Sequence, residues 1–273
     1  MFTSRSTSRR RSTSRETRRP GLAAAGIGGA ACAFALLLAG CANSSGAGAA
    51  FREGLRHYTP EQNYEIVLHD PNADARRRAV NRIVQSGRSA DDDAFRVLDV
   101  AARTDPNAQV RCAAILAMKD YWDPRPLDPL LAILNPKAHP NESAPAPPPV
   151  RWDATAALGR FAESALIPGD RRAEVVDVLV TLLLDDPYRD VRMAAARGLG
   201  AIPDKRVLRA LIAALRCRDF GIAYEAQNSL VRLTGRPYRY DAEAWEAWLD
   251  SAANPFDRTA NAAAASPTTR PAG

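Results

Sequence analysis

The chain of 273 residues has little of the chemistry on which enzymes depend. It contains three histidines, His57, His69 and His139, and none has a cysteine or second histidine at metal-ligand spacing. After residue 40 there is no glycine-rich phosphate-binding loop and no Gly-x-Ser-x-Gly nucleophile elbow. These absences predict a non-enzymatic protein without a cofactor or a metal.

One acidic run keeps an enzymatic alternative open. Asp91 to Asp93 is interpreted as the N-terminus of a helix, where acidic side chains complement the helix dipole. An enzyme of unrecognised type would instead use these carboxylates together with His57 and His69.

The sequence also lacks a run of about 20 strongly apolar residues, the length that a transmembrane helix requires. Gly21 to Gly40 is uncharged but rich in glycine, and only Phe34 to Leu38 is strongly apolar. Seven arginines and one glutamate precede this run. A basic start, a short apolar region and small residues before a break predict a secretory signal peptide over residues 1–40.

The end of this region resembles a bacterial lipobox. Leu38-Ala39-Gly40 precedes Cys41, and residues 42–50 are small and polar, as in a flexible tether. The resemblance implies that the Cys41 thiol receives a lipid, that Cys41 begins the mature chain, and that the lipid anchors the protein to a membrane. A secreted protein with a chance cysteine is the alternative.

Two features of this region bear on the export route and on the choice of membrane. Thr17 to Leu22 resembles a twin-arginine export signal, so that both this route and the general secretory route stay open, and the start codon could lie further downstream. Ala42, rather than an aspartate, follows Cys41. We therefore expect a periplasm-facing lipoprotein of the bacterial cell envelope, with the outer membrane favoured over the inner.

A surplus of charge is also absent from the predicted mature chain. Of 37 basic and 31 acidic residues, seven and one precede Cys41, so that 30 of each remain and the net charge is zero. Binding to nucleic acid requires a retained basic surface. Nucleic acid is therefore not expected as a partner.

What the sequence does contain is a repeat. Copies beginning at Asp70, Asp105 and Asp186 carry Asp-Pro, an arginine six residues after the aspartate and an alanine three residues later. Two copies without Asp-Pro follow the same register, and the arginine-equivalent positions are 76, 111, 151, 192 and 223. Asp-Pro ends one helix and begins the next, with aspartate expected as the N-cap. Second helices are predicted over Pro124 to Leu134, Asp170 to Leu184 and Asp204 to Arg216.

This pattern resembles HEAT repeats, whose period is similar. The resemblance implies an all-α superhelix, a solenoid of about five helical pairs over residues 51–250, in which aspartates and arginines form ladders between repeats. The matching ladder residues are Asp70, Arg76, Asp105, Arg111, Arg151, Asp186 and Arg192. A helix from Thr59 and an aromatic helix with Trp245 and Trp248 are expected to cap the two ends.

Two further segments and two cysteines complete the organisation. The proline-rich segment 135–149 is expected to form a surface loop or a projecting arm, and residues 251–273 a disordered tail. Cys112 and Cys217 lie in helical patterns and are interpreted as small buried hydrophobic residues rather than a disulfide.

The function predicted from these features is that of a membrane-anchored scaffold for an unknown envelope protein or peptide. In the resembling family the second helices line the concave face, which implies a binding surface there. Its candidate partner-binding residues are Arg125, Arg171, Arg172, Arg206, Arg209 and Arg216. A structural lipoprotein that binds cell-wall polymer is the alternative, and the oligomeric state is left open.

Overall fold

The computed structural model describes residues 58–135 and 145–257, which hold eleven α-helices and no strand. The helices are α1 (Pro60–His69), α2 (Ala73–Gln85), α3 (Asp92–Thr104), α4 (Ala108–Lys119), α5 (Leu127–Leu134), α6 (Pro148–Glu163), α7 (Arg172–Asp185), α8 (Arg189–Leu199), α9 (Lys205–Leu215), α10 (Phe220–Thr234) and α11 (Ala242–Ser251). No helix in these ranges is both long enough and apolar enough to cross a membrane. Several predictions concern residues outside these ranges: the signal peptide, Cys41 and the tether, and His57 and His139. Residues 136–144 of the predicted proline-rich segment and 258–273 of the predicted tail also lie outside the described residues.

The helices form two layers around one core. The even-numbered helices α2 to α10 stack on one another in chain order, and the odd-numbered helices α1 to α11 stack in the second layer. Each odd-numbered helix up to α9 packs against the even-numbered helix that follows it, which gives five pairs and a closing helix. The prediction of an all-α solenoid of about five helical pairs is therefore confirmed.

The N-cap residues of α2 and α4 differ from the prediction. Asp70 and Asp105 end helices α1 and α3, and the N-caps of α2 and α4 are Asn72 and Asn107. The side-chain oxygen of Asn72 accepts from Asp74 N at 2.8 Å, which satisfies a backbone donor that the helix leaves free. The predicted N-cap was thus wrong by two residues, because the aspartates instead order the turn.

The second helices also begin later than predicted. The predicted start at Pro124 is three residues early, because Arg125 turns back onto Asp123, whose Oδ1 accepts from both the backbone N (3.0 Å) and Nε (2.9 Å) of Arg125. This local turn precedes the helix, which begins at Leu127 after Pro126 as its N-cap.

Small residues bring the even-numbered layer together. Gly159 of α6 lies against Gly198 of α8, so close that a Cβ placed on Gly198 would lie 2.9 Å from the Cα of Gly159. The ladder-helix alanines Ala79, Ala114 and Ala154 are fully buried. A larger side chain at the glycine contact would force these two helices apart.

Both ends of the described array are closed. At the front, Thr59 and Gln62 form a reciprocal capping box at the start of α1. At the back, Gly235 ends α10 in the left-handed conformation (φ 74°), and Trp245 of α11 is fully buried. Tyr238 packs edge-on against the Trp245 ring, with 5.1 Å between the centroids. The aromatic cap predicted from the sequence is present.

Candidate functional site

Two buried ion pairs join neighbouring repeats in the even-numbered layer. The guanidinium of Arg76 donates to Asp105 through Nε (2.7 Å) and Nη2 (2.8 Å). The guanidinium of Arg151 binds Asp186 in the same bidentate way, at 2.8 and 3.0 Å. Each aspartate also accepts the backbone N–H two residues later, as Asp186 does from Tyr188 at 2.8 Å. The pairs thus fix both the contact between repeats and the turn that precedes the next helix.

The other two ladder arginines contact main chain. Arg111 donates Nε to the carbonyl of Ala102 at 2.9 Å, and Arg192 donates Nε to the carbonyl of Leu183 at 2.8 Å. In the next repeat the position equivalent to the ladder aspartate is occupied by Pro145 and by Cys217, respectively. The pattern of bridges therefore follows the presence or absence of Asp-Pro in the following repeat.

A second ladder, not predicted from the sequence, runs along the odd-numbered layer. Arg125 binds Asp92 of α3 at 2.8 Å, and Arg171 binds Asp128 of α5 at 2.6 Å. In the next repeat Arg206 of α9 reaches back to α7 in the same way, with 2.6 Å between its Nη1 and Asp177 Oδ1. Each of these arginines also pairs with an acidic residue of its own turn or helix; those residues are Asp123, Glu174 and Asp204.

This ladder occupies much of the surface that the sequence assigned to a partner. Arg216 is likewise engaged, with two bonds of 2.7 and 2.8 Å to Glu246 of α11. Arg172 and Arg209 are exposed, and no ion pair of either with a described residue is found. The assignment of these arginines to partner binding stays a prediction, and any acidic partner of the paired ones would have to compete with carboxylates already in place.

The described residues form an open groove on the opposite layer, between α2 and α4. Its volume is about 610 Å³, within the range of pockets that hold ligands. The apolar lining consists of Val84, Ala108, Cys112, Ala113, Leu116, Ala117 and Pro149. The polar lining consists of Arg77, Asn81, Gln85 and Gln109. Val84 and Leu116 are 42% and 48% exposed, so the groove offers apolar surface to a ligand rather than to the core.

A thiol and a carboxylate meet beside this groove. Cys112 of α4 lies close to the side chain of Asp153, which is buried in α6. Burial, together with the neighbouring carboxylate, raises the pKa of the Cys112 thiol to about 12. Burial likewise raises the pKa of Asp153, against the opposing effects of the Cys112 hydrogen bond and the Lys119 charge. A thiol in this state is a poor nucleophile at neutral pH, so the groove is suited to non-covalent binding.

The residues of the enzymatic alternative are dispersed into ion pairs. Asp91 precedes α3 and Asp92 and Asp93 lie in its first turn, which confirms their interpretation as a helix N-terminus. Asp91 binds Arg88, and Asp93 binds Arg96. His69 lies beside Glu65 on exposed α1, at 3.7 Å. Within 58–135 and 145–257, no three potential ligands among histidine, cysteine, aspartate and glutamate converge on a metal site.

The sequence carries a signal for the groove in the residues that follow the ladder positions. The residue directly after each ladder position is at least partly exposed in every repeat, as at Arg77, Cys112 and Trp152. Apolar residues at such outward positions, with Leu116 one turn further along, distinguish this face from a solvated one.

Comparison with known proteins concerns the C-terminal half of the chain and the fold. The family model of HEAT repeats matches residues 142–231 and 176–266. No curated protein matches the chain. A designed armadillo repeat protein, YIII(Dq)4CqI, is 16% identical, with a TM-score of 0.48 over 76% of this chain and 98% of that one. Residues 142–266 are therefore similar to HEAT repeats.

Proposed function

We propose that this protein is a non-enzymatic scaffold that binds a protein or peptide partner in the groove between α2 and α4. The observation that carries the proposal is the exposure of Val84 and Leu116 along a groove of about 610 Å³. Exposed apolar surface of this kind is a feature of sites that become covered by another molecule. The similarity of residues 142–266 to HEAT repeats supports a scaffold.

The membrane anchor and the location belong to the same proposal. The sequence that resembles a lipobox, ending at Cys41, supports attachment of the mature chain to a membrane of the bacterial cell envelope through lipid. Binding in the groove and anchoring at Cys41 are separable, because they concern different parts of the chain.

Site-specific photocrosslinking in intact cells tests the binding proposal. A photoreactive residue replaces Leu116, and crosslinked products are separated and identified. We expect a discrete adduct with one protein, and we expect the adduct to disappear when Val84 is changed to Glu in the same chain. The charge at this exposed position would remove the apolar contact and leave the ladder ion pairs unchanged.

Leu184 offers a matched control for this experiment. It is also an exposed leucine, 39% accessible, but it lies on α7 in the other layer. The same photoreactive residue at position 184 should give no adduct with the protein captured from 116. Equal capture from both positions, or from neither, would contradict the assignment of the binding surface to the α2/α4 groove.

The anchor is tested by metabolic labelling with an alkyne fatty acid. The wild-type chain should carry the label and sediment with membranes, and Cys41→Ser should lose both properties. If Cys41→Ser remains labelled and membrane-bound, the lipid-anchor part of the proposal is wrong, whereas the groove is unaffected.

A second function is favoured by an exposed aromatic cluster at the other end of the array. The Phe220 ring, 69% exposed, lies with its centroid 6.1 Å from that of Tyr224 and 5.6 Å from that of Tyr240. Rings presented in this way supply an amphipathic stacking surface, as would suit the cell-wall polymer of the alternative prediction. Co-sedimentation with purified sacculi that is lost in Phe220→Ala would support this function; no co-sedimentation of the wild-type chain would remove it.

A further inference from the structure

Arg77 provides the only charged side chain among the described residues that line the α2/α4 groove. The remaining polar lining residues, Asn81, Gln85 and Gln109, are neutral amides, and no carboxylate faces the groove. An occupant therefore meets one charged residue in the lining, Arg77, whose ion-pair partner Asp74 lies outside the lining. The groove thus selects for charge at a single place.

The guanidinium of Arg77 is only partly satisfied within the chain. Its Nη2 lies 3.2 Å from Asp74 Oδ1, and both side chains of this pair are substantially exposed, at 43% and 62%. Its Nε is buried and has no hydrogen-bond partner in the described residues. Because Nε lies below the surface, an outside carboxylate would meet the exposed end of the guanidinium, where charge-assisted hydrogen bonds are strong. An acidic group from outside would share the guanidinium with Asp74 or displace it from this exposed contact.

The dimensions of the groove limit what can carry that group. From Arg77 to Gln85 the α2 side of the groove spans eight residues of helix, which correspond to about 12 Å. An extended chain advances about 3.3 Å per residue, so about four residues fit alongside. A segment of this length can place one acidic side chain on Arg77 while apolar side chains cover Val84 and Leu116.

We propose that the occupant of the groove is an extended apolar segment of a partner protein, about four residues long, in which one Asp or Glu side chain pairs with Arg77. The proposal rests on the function proposed above and names the chemistry of its partner. The carboxylate belongs to a side chain within the segment, because the groove is open and does not require the partner's chain to end there.

Selection from a displayed library tests this assignment. A library of random hexapeptides, each embedded in the coat protein of a phage so that no free C-terminus is present, is panned against the full chain and against Arg77→Glu. We expect apolar sequences with one acidic position from the wild-type protein. We expect Lys or Arg at that position from Arg77→Glu, because the variant reverses the charge of the groove.

Affinity then measures the contact itself. Hexapeptides from the wild-type selection, capped at both ends and labelled with fluorescein, are titrated by fluorescence anisotropy. Replacing their acidic residue by the amide should weaken binding about three- to tenfold, as for a partly exposed charge-assisted hydrogen bond. The same peptide pair should bind Arg77→Gln with equal affinity, and Arg77→Lys should retain part of the preference.

Arg96→Gln is the matched control. Arg96 is also an exposed arginine that pairs with an aspartate three residues away, but it lies on α3 in the other layer. This variant should select and bind the same peptides as the wild-type chain. Circular dichroism of each variant ensures that a loss of binding is not a loss of helix.

The possible failures are distinct. Apolar sequences without an acidic preference, unchanged in Arg77→Glu, would overturn the role of Arg77 and leave the binding groove standing. Binding only by peptides with a free C-terminus would overturn the commitment to a side-chain carboxylate. No enriched sequence, combined with no adduct from position 116, would overturn the proposed function as well.

Discussion

The buried ion pair between Arg151 and Asp186 should contribute far more to stability than the exposed pairs of the second ladder. Both side chains are nearly inaccessible, at 7% and 4%, and two hydrogen bonds of 2.8 and 3.0 Å join them. Asp186→Asn retains an oxygen for the backbone N–H of Tyr188 but leaves the guanidinium opposite a neutral amide. The perturbation thus removes the charge partner and little else.

The magnitude follows from burial. Loss of one partner of a buried ion pair costs roughly 3–5 kcal/mol, because the other charge stays buried and uncompensated. The Tyr188 ring and the carbonyl of Ala146 also contact Arg151, so the guanidinium cannot turn out to water without losing both. With a urea dependence of about 2–3 kcal/mol per molar, the midpoint of unfolding should fall by roughly 1–2 M.

Asp128→Asn is the matched control, because Asp128 also joins an arginine of the next repeat. Its side chain is 78% exposed, so loss of the Arg171 contact should cost less than about 1 kcal/mol. Urea unfolding followed by circular dichroism compares the two variants with the wild-type chain. Adding Arg151→Met to Asp186→Asn should recover much of the loss, since no charge then remains buried. Equal shifts for Asp186→Asn and Asp128→Asn would refute the reasoning from burial.

Three further predictions concern packing and the thiol. Gly198→Ala should lower the free energy of unfolding by about 1–3 kcal/mol, because the new Cβ would lie 2.9 Å from the backbone of Gly159. Gly169→Ala is the control, since there is open space around Gly169. An equal loss of stability in both variants would contradict the close approach of the two helices. Trp245→Ala should lower the free energy of unfolding by about 3–5 kcal/mol, since the ring is fully buried and its Nε1 donates to Arg239 O at 2.9 Å. Thermal or urea unfolding measures this loss, and a loss below about 1 kcal/mol would contradict the role of Trp245 as a cap. Cys112 should react with iodoacetamide at pH 8 roughly two to three orders of magnitude more slowly in the folded chain than in urea, because folding raises its pKa from 9.0 to about 12. The stability that the protonated thiol contributes is complete below about pH 9 and is lost as the pH rises towards 12. Mass spectrometry of the labelled peptide measures the rate, and equal rates in both states would contradict the raised pKa.

The repeat itself could be derived from the sequence because it depends on local chemistry. Asp-Pro, the arginine six residues later and the alanine after it recur in register, and this recurrence predicted the helical pairs that the structure contains. The end of α10 at Gly235 and the start of α11 at Asp241 are equally local, since a left-handed C-cap and a side-chain N-cap are properties of one or two residues.

Tertiary structure alone decided which arginines meet which acids. Arg125, Arg171 and Arg206 read as exposed positive charges in the sequence, yet each contacts a carboxylate 29 to 43 residues away. Such a contact depends on how successive pairs stack, and no local pattern states the distance between their surfaces. The sequence could therefore not show that these arginines bridge neighbouring repeats, whether or not they also bind a partner.

The groove between α2 and α4 also depends on the tertiary structure. Val84 and Leu116 lie 32 residues apart on different helices, and only the stacking of α2 on α4 places them on one exposed surface with Arg77 at its edge. The sequence by itself determined that the chain would form stacked helical pairs, because helix starts, stops and apolar spacing are local. Only the tertiary structure decided which side chains face outward, because that depends on the spacing between the stacked pairs.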